Sequence, residues 1–222
     1  MGNVDRGDDM RSGVCGFLCL GLLVLSSWTR AATLSVEVTD RAGKPVADAV
    51  VTGLGAGPRV APAARIVDQK NLTFLPYVEV FHPGDSLVFR NSDGTRHHVY
   101  SFSPAKQFEM VVDANGRSAP LVLDKTGVVA VGCNIHDGMI SYLYITDAPY
   151  AARTDATGRV SFEGLPAGPF EVRVWQPRLP AGRPDLRQQS IVLAAQESRN
   201  VAFPLTLRPD SRRQFDREHT HY

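Results

Sequence analysis

The sequence predicts an all-β protein made of two sandwiches. After residue 32 it is a succession of short runs rich in β-branched residues, punctuated by Gly, Pro, Asp and Asn, with no long stretch of helical periodicity. The candidate strands are also too many for one small sheet pair.

In chain order those candidates are "TLSVEV", "DAVVTGL", "VEVF", "SLVFRN", "HHVYSF", "FEMVV", "GVVAVGC", "ISYLYIT", "GRVSFEGL", "FEVRVWQP", "QSIVLA" and "NVAFPLTL". Each is a short β-prone run bounded by turn residues. Together they exceed what a single sandwich of about seven to nine strands uses, which argues for two. The Gly-, Ala- and Pro-rich "GLGAGPRVAPAAR" and the later "DAPYAART" read as linkers between them. The tail "RPDSRRQFDREHTHY" is charged, lacks apolar periodicity and reads as a solvated end whose "HTH" binds metal weakly at most.

The chain has 222 residues, a formal net charge of +1 and ordinary hydrophobic content. Such a composition suits one or two compact domains and excludes a disordered chain. Nothing in the charge balance suggests a nucleic-acid partner.

The N-terminal "GVCGFLCLGLLVLSSWTRA" is an apolar run of signal-peptide length ending in small residues, so export with cleavage near Ala31 is expected. The preceding "MGNVDRGDD" is acidic where a signal peptide is basic, and Met10–Arg11 makes a cleaner beginning than Met1. From Val14 to Leu25 the stretch is shorter than the ~20 residues that span a bilayer, which favours removal over retention as a membrane anchor. Neither Cys15 nor Cys19 has the context of a lipid-modified cysteine.

Cleavage removes Cys15 and Cys19 and leaves Cys133 as the sole thiol in a compartment where cysteines normally pair. A lone cysteine is most often a small buried hydrophobe. The loop "GCNIHDGM", residues 132–139, points elsewhere, because it sets Cys133, His136 and Met139 with two residues between each consecutive pair.

A thiolate, an imidazole and a thioether so close together form a soft ligand set. Copper cycles between an ion that favours soft ligands and one that favours nitrogen, and two imidazoles, one thiolate and a weak axial thioether suit both. The fourth ligand is expected from "FRNSDGTRHHVYSF", where His97 and His98 begin a strand. Successive strand residues face opposite ways, so only one of the two enters the site. Zinc is the rival metal, but a methionine is a poor zinc ligand.

Among other candidates, Met110 lies in the alternating "QFEMVV" and reads as core, while His82, before "PGD", reads as an exposed turn residue. Asn91 is expected to hold the cysteine loop by hydrogen bonds, as supporting residues generally orient metal ligands.

Residues 69–147 resemble the cupredoxin, or small blue-copper, family of plastocyanin and amicyanin type. The resemblance rests on "VEVFHPGDSLVFRNSDGTRHHVYSF" and on "CNIHDGM", whose spacings are those of the short amicyanin-like loop. It implies a Greek-key β-sandwich holding one type 1 copper ion. The family's "PHNV" context aligns with "RHHV", which assigns the first ligand to His97 and gives the set His97, Cys133, His136 and Met139. Arg96 and Ile135 stand where relatives have proline, a departure that bears on loop rigidity and reduction potential.

The flanking segments "LSVEVTDRAGKPVADAVVTGL" and "RTDATGRVSFEGLPAGPFEVRVWQPRL" resemble the carboxypeptidase-regulatory-like family of Ig-type sandwiches, with Phe170 at its aromatic position. The expected organisation is a signal peptide at 1–31, a discontinuous Ig-like domain at 32–59 and 150–208, a cupredoxin inserted at 60–149, and a flexible tail at 209–222. A separate C-terminal sandwich after a cupredoxin with an extra hairpin is the plainer alternative. The combination also resembles exported proteins of the methylamine-utilisation or plastocyanin-like type.

The resemblance implies an exported electron carrier of the periplasm, passing single electrons through His136 between partners such as a c-type cytochrome or a periplasmic dehydrogenase. Copper storage or delivery, and a structural or interaction module with a copper site, are the competing readings. Catalysis is not expected: mononuclear copper turnover needs an open position, and multicopper chemistry needs more than the six histidines present.

Overall fold

The computed structural model describes residues 1–2, 31–180 and 187–210. Most of the expected signal peptide and of the expected tail lies outside these residues. Sixteen strands and no helix are found among them.

The strands are β1 (Ala32–Asp40), β2 (Val50–Leu54), β3 (Ala64–Gln69), β4 (Phe74–Leu75), β5 (Val78–Phe81), β6 (Asp85–Asn91), β7 (His97–Ser103) and β8 (Lys106–Val112). They continue with β9 (Leu121–Leu123), β10 (Gly127–Cys133), β11 (Ile140–Ile145), β12 (Tyr150–Arg153), β13 (Arg159–Leu165), β14 (Gly168–Trp175), β15 (Arg187–Leu193) and β16 (Ser198–Leu205).

Four sheets are present, ordered β13-β1-β16, β12-β2-β14-β15, β4-β3-β6-β9 and β5-β11-β10-β7-β8. The first two come from residues before 55 and after 149, and they enclose one core. Its members include Leu34, Val36 and Val38 of β1, Val172 and Val174 of β14, and Phe203 and Leu205 of β16. The other two enclose a second core with Val67, Phe74, Phe89, Val99, Val129, Val131 and Leu143. Strand alternation builds both: in β1 every second residue from Ala32 to Val38 is buried, and in β6 so are Asp85, Leu87, Phe89 and Asn91. Burying each large apolar side chain contributes about 1.5–3 kcal/mol.

A third cluster joins the two cores. Trp175 of β14 packs on Tyr144 and Tyr142 of β11, with ring centroids 5.2 and 5.9 Å away, beside Val50, Val78 and Val80. The segments that cross between the sandwiches are pinned nearby. Asp85 Oδ1 accepts the Ala63 N–H at 2.6 Å, its Oδ2 accepts the His82 N–H at 2.8 Å, and His82 Nδ1–H donates to the Thr146 carbonyl at 2.8 Å. His82 is therefore buried rather than exposed, and its ring is hydrogen-bonded to the Thr146 carbonyl, as a buried polar group requires.

Two expected linkers hold strands. β12 lies within "DAPYAART" and pairs with β2, while β3 begins at the end of the Gly- and Pro-rich stretch and pairs in parallel with β6. β12 is an edge strand without a β-branched residue, and β3 carries Arg65 and Asp68, so neither shows a strong β pattern in sequence. β4 and β9 are too short to register.

Candidate metal centre

β10 and β7 are neighbours, and Cys133 pairs with Val99. His97 is two residues before Val99, so it lies on the same inward face as Cys133, one diagonal step away. Alternation completes the placement: Val129, Val131 and Cys133 are buried along β10, as are His97, Val99 and Ser101 along β7. His98 points outward, half-buried, with Nε2 2.8 Å from Glu109 Oε1.

After Cys133 the chain turns tightly into β11. Gly138 has φ 77°, a left-handed conformation that costs glycine nothing, and the Cys133 N–H reaches the Met139 carbonyl at 3.3 Å. The Asn134 N–H donates to the His98 carbonyl at 2.9 Å, fastening the loop to β7. This closure brings His136 back over Cys133.

The three side chains then meet. Cys133 Sγ lies 3.7 Å from His97 Nδ1 and 3.6 Å from His136 Nδ1, and the two nitrogens are 3.0 Å apart. A point equidistant from all three atoms lies about 2.0 Å from each, close to the ~2.0–2.1 Å and ~2.3 Å of metal–nitrogen and metal–sulfur bonds in known Cys/His sites. It is the one such His/Cys/carboxylate group among the described residues. Met139 is buried in the same apolar cluster as Cys133. His97 is fully buried, while His136 is partly exposed on the loop beside exposed Ile135.

Asp93 completes the surroundings, and nothing in the sequence singled it out beyond its place in an Asn-rich turn. Its Oδ2 is 2.9 Å from His97 Nε2, the nitrogen facing away from the thiol. Burial alone raises its carboxyl pKa, but hydrogen bonds from the Leu72 N–H, His97 and the Asn71 N–H outweigh this and hold it below the ordinary aspartate value. Burial, then the charge of His97, push His136 below the ordinary histidine value, with Asp93 opposing. The His136 imidazole is thus disposed to offer a lone pair to a metal.

Asn91 does not hold the cysteine loop. Its buried amide faces the carbonyls of Thr95, Val112 and Asp113 at 2.8–3.1 Å, and its Oδ1 accepts the Asp93 N–H at 2.9 Å. It shapes the turn that presents Asp93 and His97. Met110 packs partly buried against the core, and Ile140 is half-buried where β11 begins.

No protein-family model matches the chain, and no curated protein matches it. Solved structures similar to part of it include an amicyanin from Paracoccus versutus, at 14% identity and a TM-score of 0.34, covering 37% of this chain and 81% of that one. An oxidised amicyanin variant is 16% identical with a TM-score of 0.35, covering 43% and 98%. A purple cupredoxin from Nitrosopumilus maritimus is 18% identical with a TM-score of 0.33, covering 38% and 99%.

Proposed function

We propose that this is an exported copper protein of cupredoxin type that carries single electrons between periplasmic partners. The observation that carries the reading is the triangle of His97 Nδ1, Cys133 Sγ and His136 Nδ1, with Met139 buried in the same cluster. Two imidazole nitrogens and a thiol sulfur within 3.7 Å of one another, with a thioether in the same loop, favour copper over zinc.

His97, Cys133 and His136 would hold the ion, and Met139, buried in the same cluster as Cys133, would be the fourth ligand. Bound there, copper supplies one-electron chemistry between its two oxidation states. The chain's contribution is rigidity. Cys133 and His97 stand on paired strands, the loop is closed by the Cys133–Met139 and Asn134–His98 backbone bonds, and the buried cluster excludes water from the thiol. Ligands that do not rearrange keep the cost of gaining or losing an electron small. Partly exposed His136 and exposed Ile135 stand on the solvent side of the loop, where a c-type cytochrome or a periplasmic dehydrogenase would dock.

Residues 60–149 would then be a cupredoxin inserted into an Ig-like domain formed by 32–59 and 150–208. The sheet memberships and separate cores are what support it. Export through cleavage near Ala31 and a carrier role rather than catalysis belong to the same proposal.

Voltammetry of the copper-loaded protein tests it. A reversible one-electron wave with no release of copper to a chelator in either oxidation state is expected. Ready loss of copper to the chelator would instead make the protein a storage or delivery module.

A further inference from the structure

We infer that Asp93 is a positioning residue that fixes the tautomer of His97 and ties this side chain to the turn at Asn71 and Leu72. The consequence drawn for copper rests on the proposed function; the positioning of His97 does not.

The Asp93 carboxylate is shared. Oδ2 accepts His97 Nε2–H at 2.9 Å and the Leu72 N–H at 3.1 Å, while Oδ1 accepts the Asn71 N–H at 2.6 Å. Its own backbone is held at both ends, by Asn91 Oδ1 on its N–H and by the Asn115 N–H on its carbonyl. The acid therefore has little freedom to swing away from the imidazole.

A carboxylate accepts and does not donate, so it selects the Nε2–H form of His97 and leaves the Nδ1 lone pair facing Cys133 and His136. A negative partner on the far nitrogen also makes the imidazole a stronger donor, which favours the more highly charged Cu(II).

The turn is the second half of the device. Asn71 and Leu72 take φ of 55° and 54°, two successive left-handed residues of which neither is glycine. For leucine this conformation is strained, and it persists where the surroundings hold it. Here two adjacent N–H groups converge on one anion. The turn presents Leu72 to solvent, 47% exposed, one hydrogen bond from the carboxylate that holds His97.

Nitrogen-15 NMR of the full metal-free protein, above the histidine titration range, reads the tautomer directly. His97 is expected as the Nε2–H form in the native protein. Asp93→Asn keeps an acceptor oxygen and is expected to keep that form, whereas Asp93→Ala loses it. In the copper-loaded protein, removing the charge in Asp93→Asn is expected to lower the Cu(II)-to-Cu(I) affinity ratio about tenfold, a potential rise of about 59 mV for one electron. Exchange of the Asn71 and Leu72 amide protons should quicken in Asp93→Ala.

An Nδ1–H tautomer in the native protein, or an unchanged tautomer in Asp93→Ala, overturns the inference even if copper binds as proposed. The expected tautomers in a protein that takes up no copper would support the positioning role while sinking the copper reading. If Asp93→Ala does not fold, the native tautomer and the potential of Asp93→Asn decide the matter.

Discussion

His97 Nδ1 lies 3.7 Å from Cys133 Sγ although 36 residues separate them in sequence. The pairing of Cys133 with Val99 produces this approach, since it places His97 one diagonal step away on the buried face. The neighbouring His98 is excluded by the same geometry.

His97→Ala is therefore expected to weaken copper binding by more than the ~10–100-fold typical of losing a supporting partner, whereas His98→Ala changes it by only a few-fold. Competition titration against a copper chelator measures both. Equal losses would mean that either histidine can reach the metal.

Trp175→Ala should cost about 3–5 kcal/mol, the range for deleting a large buried aromatic side chain. Because Trp175 joins the two cores through Tyr142 and Tyr144, its loss should also separate their unfolding. Denaturant melts followed at the metal centre and by backbone dichroism are expected to diverge in the variant.

Gly158 has φ 73°, and a Cβ there would lie 2.5 Å from the Val38 carbonyl oxygen and 3.0 Å from the Val46 nitrogen. Neither backbone atom can move without disturbing β1. Gly158→Ala is expected to cost at least about 2 kcal/mol, measured by denaturant unfolding, while leaving copper affinity unchanged.

The Arg90 guanidinium, 2.6 Å from Asp68, holds that carboxyl below the ordinary aspartate value, with Ser92 assisting against burial. Its folded-state pKa is thus depressed. The stability it contributes is complete above the ordinary aspartate pKa and is lost as pH falls through the lower folded value. Asp68→Asn should flatten that part of the acid limb in a stability-versus-pH series.

Much of this site was legible because strand alternation and loop spacing are local. Cys133 continues an inward row that begins with Val129, and His136 and Met139 follow it within one turn. Asp93 was not legible. Asn-Ser-Asp-Gly reads as an ordinary turn, and the amides that share its carboxylate with His97 lie 21 and 22 residues earlier. His82 was misread for a similar reason: its burial comes from Thr146, 64 residues later. Edge strands such as β12 take their pairing from β2 rather than from their own composition.

The most direct test of the central claim is a visible and electron-paramagnetic-resonance spectrum of the copper-loaded protein beside Cys133→Ser. An intense thiolate-to-copper band with narrow hyperfine splitting, both absent from the variant, is the predicted result. A colourless protein that takes zinc in preference to copper, or no metal, would contradict a blue-copper centre at His97, Cys133 and His136.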